Sequence, residues 1–266
     1  MIGLRIFVVW VCGLFLQSIS ASSEEREIAN SPAENPPSLI PVYEKPQVGE
    51  EPRFRVLSEP TTEWTLHKTE DGAHPDGNEQ QMVWLMNRAR TDPAQEGLYL
   101  SDTGNRRVDS AVSYFGVDIE LMKAELAAFA PKPPAAFDRR IYLGSKVHSE
   151  DLIARDKQDH NNQFSRIGDA GFRLSGGNAS VFSFADDPIH AHAAFNIDWG
   201  GDDGTGMQSG RGHRQGIMAG KLNSTNVGIA MVPETDSKTQ VGELVTSIVY
   251  ARASRSAANH YNRFLA

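Results

Sequence analysis

Two apolar runs near the C-terminal end of the chain limit its fold more than any other feature. Residues 226–232 and 243–251 are continuous or alternating in β-branched and apolar side chains, and the polar stretch 233–239 separates them. Strands of that composition joined by a short polar turn pair as an antiparallel hairpin. Any fold available to this chain must therefore bury a hairpin, and the preceding sequence must supply the elements that cover it.

Much of that preceding sequence is helical in pattern. Asn78 stands where a helix cap would, with Gln81 three residues on, and Met82, Leu85, Met86 and Ala89 follow at helical spacing until Pro93 ends the segment. The run from Asn87 to Pro93 reads as a basic outer face, its arginines paired with nearby carboxylates. From Gly97 to Pro134 the pattern is less regular, an insertion or long connection with one helix at 119–129. Asp138 caps a further helix that runs to about Asp156, with Ile141, Val147, His148 and Leu152 facing other elements. His148 lies between Ile141 and Leu152 on the helical wheel and reads as a satisfied, partly buried histidine. A short amphipathic turn at 164–170, an extended stretch entered through Gly176 and Gly177, and a helix opened by Asp187-Pro188 complete the pattern.

The 266 residues carry a formal charge of −8. That excess argues against nucleic acid or an anionic membrane as a partner, since both depend on clustered Lys and Arg. At the N-terminus Arg5, the apolar run 6–16 and the small polar stretch 18–23 have the layout of a secretory signal, assigned to residues 1–21; an uncleaved anchor is the alternative. No stable membrane span is expected after cleavage, and a secreted, periplasmic or cell-envelope location follows. Cys12, the only cysteine, lies within that run, which excludes a disulfide framework or a cysteine nucleophile from the mature chain. Residues 22–77, rich in Pro, Glu and Ser, read as a linker or arm, with Trp64 and Leu66 as a weak strand signal. Residues 78–252 form the domain, and 253–266 a polar tail whose end has strand character.

Two histidines carry the chemistry. His160 lies beyond the end of its helix, where it can face a groove, and His213 sits in Gly210-Arg211-Gly212-His213-Arg214 after a Gly/Asp-rich loop. There is no Gly-x-Ser-x-Gly elbow, no His-Glu-x-x-His, no phosphate loop and no dinucleotide fingerprint after a strand.

Taken in order, several pieces resemble the bacterial branch of the CAP superfamily of cysteine-rich secretory, antigen and pathogenesis-related proteins. They are Asn87-Arg88-Ala89-Arg90 with Asp92-Pro93, His148-Ser149-Glu150-Asp151-Leu152 leading to His160, Ala170-Gly171-Phe172, Gly176-Gly177-Asn178, Gly212-His213-Arg214 and Val227-Gly228-Ile229-Ala230. The resemblance implies an α+β fold, a CAP-like α-β-α sandwich around a small, mainly antiparallel sheet. It also implies a groove holding two histidines and two acidic residues. His160 and His213 match the histidines and Asn178 the turn beside the first acidic position. That position holds Gly177 here, so one carboxylate is missing. Asp198 in Phe195-Asn196-Ile197-Asp198 matches the second, with Asp202 or Asp203 as substitutes.

Two imidazoles and one carboxylate make a metal centre or acid–base pair less complete than two of each. The loop 198–206 separately reads either as a solvated acidic turn or as an oxygen cage in which Asp198, Asp202 and Asp203 hold Ca²⁺ or another divalent cation; its spacing is not that of an EF-hand. Two functions follow from the resemblance. One is an exported, non-enzymatic binding module whose histidine-lined groove takes a small hydrophobic ligand, glycan, peptide or divalent ion. The alternative is a weak protease-type hydrolase using His160, His213 and a carboxylate.

Overall fold

The computed structural model describes residues 72, 74–201, 203–220, 222–236 and 238–254. The signal at 1–21, nearly all of the arm at 22–77, Asp202 and the strand-like end of the tail lie outside the described residues.

The first helix, α1 (Gly77–Thr91), starts one residue before Asn78. Its cap is Asp76, whose carboxylate accepts from the Glu79 N–H while the Glu79 carboxylate accepts from the Asp76 N–H. The capping box is thus two residues upstream of the expected one, because the Asp76 and Glu79 carboxylates together satisfy both orphan donors. Asp92-Pro93 ends α1 and opens α2 (Pro93–Ser101), with Asp92 capping Gln95 N–H and proline at the first helical position.

The stretch expected to be irregular is mostly helical. Helices α3 (Arg106–Phe115) and α4 (Ile119–Ala127) follow α2, the first capped by Asn105 and closed by Gly116 in the left-handed region, the second capped by Asp118. Helix α4 is the one expected at 119–129; α2 and α3, whose caps were also present in the sequence, are short and lie in the stretch expected to be a connection.

After β1 (Ala136–Phe137) come α5 (Arg139–Arg155), α6 (Gln163–Asp169), β2 (Leu174–Ala185), α7 (Pro188–Ile197), α8 (Gly212–Ile217), β3 (Asn226–Glu234) and β4 (Glu243–Ala253). The expected hairpin is present: β3 and β4 are antiparallel, with Ile229 opposite Ile248 and Val227 opposite Tyr250. The sheet order is β1-β3-β4-β2, with β1 parallel to β3 and β2 antiparallel to β4. The protein is therefore α+β, with eight helices and a four-stranded mixed sheet among the described residues.

Both faces of the hairpin are covered, which explains why its strands read as apolar throughout. Val227, Ile229, Met231, Ile248 and Tyr250 face one layer, packing with Met82 and Met86 of α1, Phe195 and Ile197 of α7 and Ile217 of α8. Val249 and Ala251 face the other, against Ile141 of α5 and Ile167 of α6. Helices thus lie on both sides of the sheet. At Gly228 the contact with α5 leaves no room for a side chain: a Cβ there would lie 2.2 Å from the Tyr142 backbone nitrogen. Backbone cannot swing aside as a side chain can, so Gly228→Ala is expected to cost at least about 1–3 kcal/mol by forcing α5 off the sheet. Chemical denaturation would check this, and an unchanged midpoint would mean that α5 does not sit against β3 at this residue.

The basic outer face expected along α1 is half right. Arg88 pairs with a carboxylate, Glu96, but Arg90 is fully buried and has no carboxylate partner among the described residues. Its guanidinium donates to the carbonyls of Ile217 (2.5 Å) and Ser224 (2.9 Å) and to the Ser224 hydroxyl (3.3 Å), tying α1 to the end of α8 and the entry of β3. Burial holds its pKa down at about 10.

Candidate functional site

Strand β2 is an edge of the described sheet, and the two histidines reach that edge from opposite helical layers. His160 lies in the α5–α6 connection; His213 is on α8, its ring 5.6 Å from that of Phe195 in α7. They are close enough for the charge of His213 to act on His160. The residues of β2 divide in the same way: Ala179 packs with the α5–α6 layer, and the Asn178 amide reaches the Gly212 carbonyl at 3.5 Å.

His213 is held by Asp198. Asp198 ends α7 in the left-handed conformation (φ 59°), a backbone state that Asp and Asn adopt more readily than other side-chain-bearing residues. Its carboxylate is fully buried and accepts from His213 Nδ1 (2.7 Å) and from the His213 backbone N–H (3.1 Å). Burial disfavours the charged imidazole, but the Asp198 charge and hydrogen bond outweigh it and raise the His213 pKa above its ordinary 6.5. The arginines on either side fix the segment. Arg214, fully buried, donates to the carbonyls of Asn196 and Ile197 and to Glu125 of α4, and Arg211 pairs with both Glu125 and Asp203.

His160 is held by Gln163. The Gln163 amide nitrogen donates to the carbonyls of Ser180 (3.4 Å) and Ile248 (3.3 Å), which turns its oxygen toward His160 Nδ1 at 2.7 Å. Nδ1 must then carry the proton. His160 is exposed at the surface, yet protein atoms around its ring desolvate it, and together with the His213 charge they lower its pKa against the opposing Gln163 bond.

His148 has the supporting role expected of it. It is fully buried, accepts from the Arg166 guanidinium at Nδ1 and so donates from Nε2 to the Asp159 carbonyl at 3.0 Å. Those bonds require the neutral ring, and burial, the largest influence, brings its pKa to about 4. Arg155 grips the carboxylates of Asp151 and Asp159, and Arg166 also pairs with Asp151. The His160 loop is thereby pinned at Asp159.

The Asp-rich loop is not a freely solvated turn. Trp199 bridges Met207, and Gly200 N–H donates to the Gly206 carbonyl, so the loop closes on itself. Asp198 is turned inward to His213, while Asp203 accepts from Thr205 and Arg211. Among the described residues no group of three His, Cys, Asp or Glu side chains is placed to hold a metal.

Asn178 accepts from its neighbour Ala179 N–H and braces the turn before α8. At Gly177, the position for which the resemblance implies an acidic residue, a Cβ would lie 3.0 Å from the Phe164 ring and 3.1 Å from the Tyr250 carbonyl, so a side chain there would displace Phe164. A cleft of about 450 Å³ is lined by Glu125, Phe129, Arg211, Arg214 and Gln215, and neither histidine lines it.

Sequence reasoning named Arg211 and Arg214 only as neighbours of His213 in their motif and did not single out Gln163 or Glu125. Gln163 stands three residues after His160, a spacing that could have marked it; Glu125 is far from His213 in sequence and gave no signal.

Fold and site together define an α+β protein with helices on both faces of a small sheet and a histidine–carboxylate pair at the sheet edge. Comparison with family models, curated proteins and solved structures returned no match.

Proposed function

We propose that this chain is an exported binding module of CAP type whose ligand is received between His160 and His213. The observation that carries it is that each ring has its Nδ1 tied to a fixed acceptor, Asp198 or Gln163, and so offers Nε2 to whatever enters. Fixed rings on opposing layers lose little freedom when a ligand arrives, which is what a preformed recognition site requires. The raised pKa of His213 and the lowered pKa of His160 give one ring that readily donates and one that accepts. Export is part of this proposal through the signal-like N-terminus. Among the described residues no helix is long and apolar enough to cross a membrane.

The test is a titration of the full chain with acetate, inorganic phosphate, N-acetylglucosamine and Zn²⁺, followed by NMR of the histidine ring signals. At least one probe should move the signals of both His160 and His213 in the native chain and no longer move that of His160 in His213→Ala. If none moves either ring, the proposal falls.

The opposed shifts also favour a second reading, acid–base chemistry, since a pair of groups with separated pKa values suits general acid and general base. Casein and ester hydrolysis by the native chain and by a His160→Ala/His213→Ala double variant tests it. Equal rates in both would exclude hydrolysis by this pair.

A further inference from the structure

Strand β2 offers more than a support for the histidines, because among the described residues part of its outer edge has no strand beside it. Thr225 and Val227 direct their carbonyls at β1, accepting from Ala136 and Asp138, so Asn226 and Gly228 turn toward β4. With Asn226 opposite Ala251 and Gly228 opposite Val249, alternation along β4 turns Tyr250 and Ile248 toward β2. Their partners there are Asn178 and Ser180, which leaves the backbone groups of Gly177 and Ala179 directed outward at the edge. The Ala179 N–H is taken by the Asn178 side chain at 2.8 Å. Among the described residues the N–H and C=O of Gly177 and the C=O of Ala179 have no strand beside them. Both residues are half-buried, and neither bears a bulky side chain that would crowd an incoming strand.

This open length is short and has a definite end. At Ser183 the outward N–H is occupied by Gln158 Oε1 at 2.7 Å, and Val181 is buried, so the connection after α5 covers the edge from there on. The histidines flank the open length just before this closed end: His160 through Gln163 to the Ser180 carbonyl, His213 through Gly212 to Asn178. A strand entering beside Gly176 can pair with Gly177 and Ala179 but cannot continue, so it must terminate at the histidines.

We propose that the site captures the C-terminal end of an extended peptide, which adds to β2 as a short parallel strand at Gly177 and Ala179 and places its terminal carboxylate between His160 and His213. The backbone of β2 supplies hydrogen bonds that do not depend on the guest's side chains, and His213, its Nδ1 bonded to Asp198, supplies the Nε2 donor for the carboxylate, while His160, whose Nδ1 proton is bonded to Gln163, adds a second donor only by taking up a proton at Nε2. The tendency of His213 to hold its proton matches an anionic group there. This inference rests on the binding role proposed above and names its ligand class.

The test uses the full chain and four probes: acetyl-Thr-Val-Thr-Val with a free C-terminus, the same peptide as its C-terminal amide, and the free acid N-methylated at its third residue and, separately, at its fourth. Altering the guest leaves the protein's own folding untouched. The free acid should shift the backbone amide signal of Gly177 together with the ring signals of His160 and His213, with a Kd at least about tenfold tighter than that of the amide. One of the two N-methylated forms should bind about tenfold more weakly than the parent, because only one of those N–H groups faces β2. If acetate and peptide move the rings alike and the Gly177 amide stays still, strand addition is overturned while the binding role stands. If the free acid moves neither the rings nor Gly177 while phosphate, N-acetylglucosamine or Zn²⁺ moves the rings, peptide capture is overturned alone. If nothing moves the rings, both fall.

Discussion

Glu96→Ala should destabilise the domain by about 3–5 kcal/mol, roughly 10 °C or more in Tm, with little direct effect at the histidine pair. Glu96 is 1% exposed and accepts two bonds from Arg88, at 2.7 and 2.8 Å, and one from His192 Nε2 at 2.8 Å. His192 is itself fully buried, and its Nδ1 accepts from the Asn196 amide, so the ring is neutral and donates to Glu96. Burial lowers its pKa further than Glu96 raises it. Removing the carboxylate would leave the half-buried guanidinium of Arg88 and the fully buried N–H of His192 without their acceptor, and among the described residues neither has another acidic partner in this network. The guanidinium lies 3.7 Å from the Tyr99 ring centre, a contact that offsets only part of the loss.

The same carboxylate predicts an acid limb in the stability profile. Burial pushes the Glu96 pKa up, but the charge of Arg88 and the hydrogen bonds bring it down from 4.5 to about 2. A depressed carboxylate contributes fully above its unfolded pKa and loses that contribution as pH falls through the folded one. The loss should therefore fall between about pH 4.5 and pH 2. Tm measured across that range should fall less steeply for Glu96→Gln, which keeps the shape and removes the titration; parallel curves for the two proteins would show that Glu96 is not the group responsible.

Asp198→Asn is expected to uncouple His213 from its carboxylate without unfolding α7. Asparagine tolerates the left-handed backbone at this position, and its amide oxygen can still accept from a histidine N–H, so the geometry is kept while the charge is lost. With the Asp198 charge gone, burial acts on His213 unopposed, and its pKa should drop from above 6.5 to below it, read by the ring proton shift against pH. The native sign is the reverse: His213 adds stability that is complete below its unfolded pKa and lost as pH rises through its raised folded value. A hydrogen bond to a charged group contributes about 1.5–3 kcal/mol, so the variant should also be less stable near pH 6. A His213 titration that does not move would mean that Asp198 does not control the ring. Asp198→Ala would test less, since it also removes the acceptor and strains the backbone.

Much of the fold was legible because its signals are local. The β3–β4 hairpin, the Asp138 cap of α5 and Asp187-Pro188 at the start of α7 each depend on residues a few positions apart, and the structure has all three. The α1 cap was misplaced by two residues because Asn78 and Asp76 are both competent caps, and only the pairing of Asp76 with Glu79 and the entry of the chain into the helix distinguish them. Helices α2 and α3 escaped notice because short helices are stabilised by what they pack against more than by their own period.

The site divides along the same line. That a histidine flanked by glycine, a histidine beyond a helix end and an Asp after Phe195-Asn196-Ile197 were chemically interesting could be read from residue type and spacing. Which carboxylate meets His213 could not: Asp198, Asp202 and Asp203 are alike in the chain, and the left-handed end of α7 selects Asp198 by turning it inward while Asp203 goes to Arg211. Nor could the sequence tell that Arg90 is buried on carbonyls while Arg88, two residues away, pairs with Glu96. Sequence alone determined the hairpin, the main caps and the residue types of the site, because those follow from backbone preference and near neighbours. The tertiary structure decided the tautomers, the charges and the position of both histidines at one edge of β2, because these depend on partners brought together only when the helical layers close on the sheet.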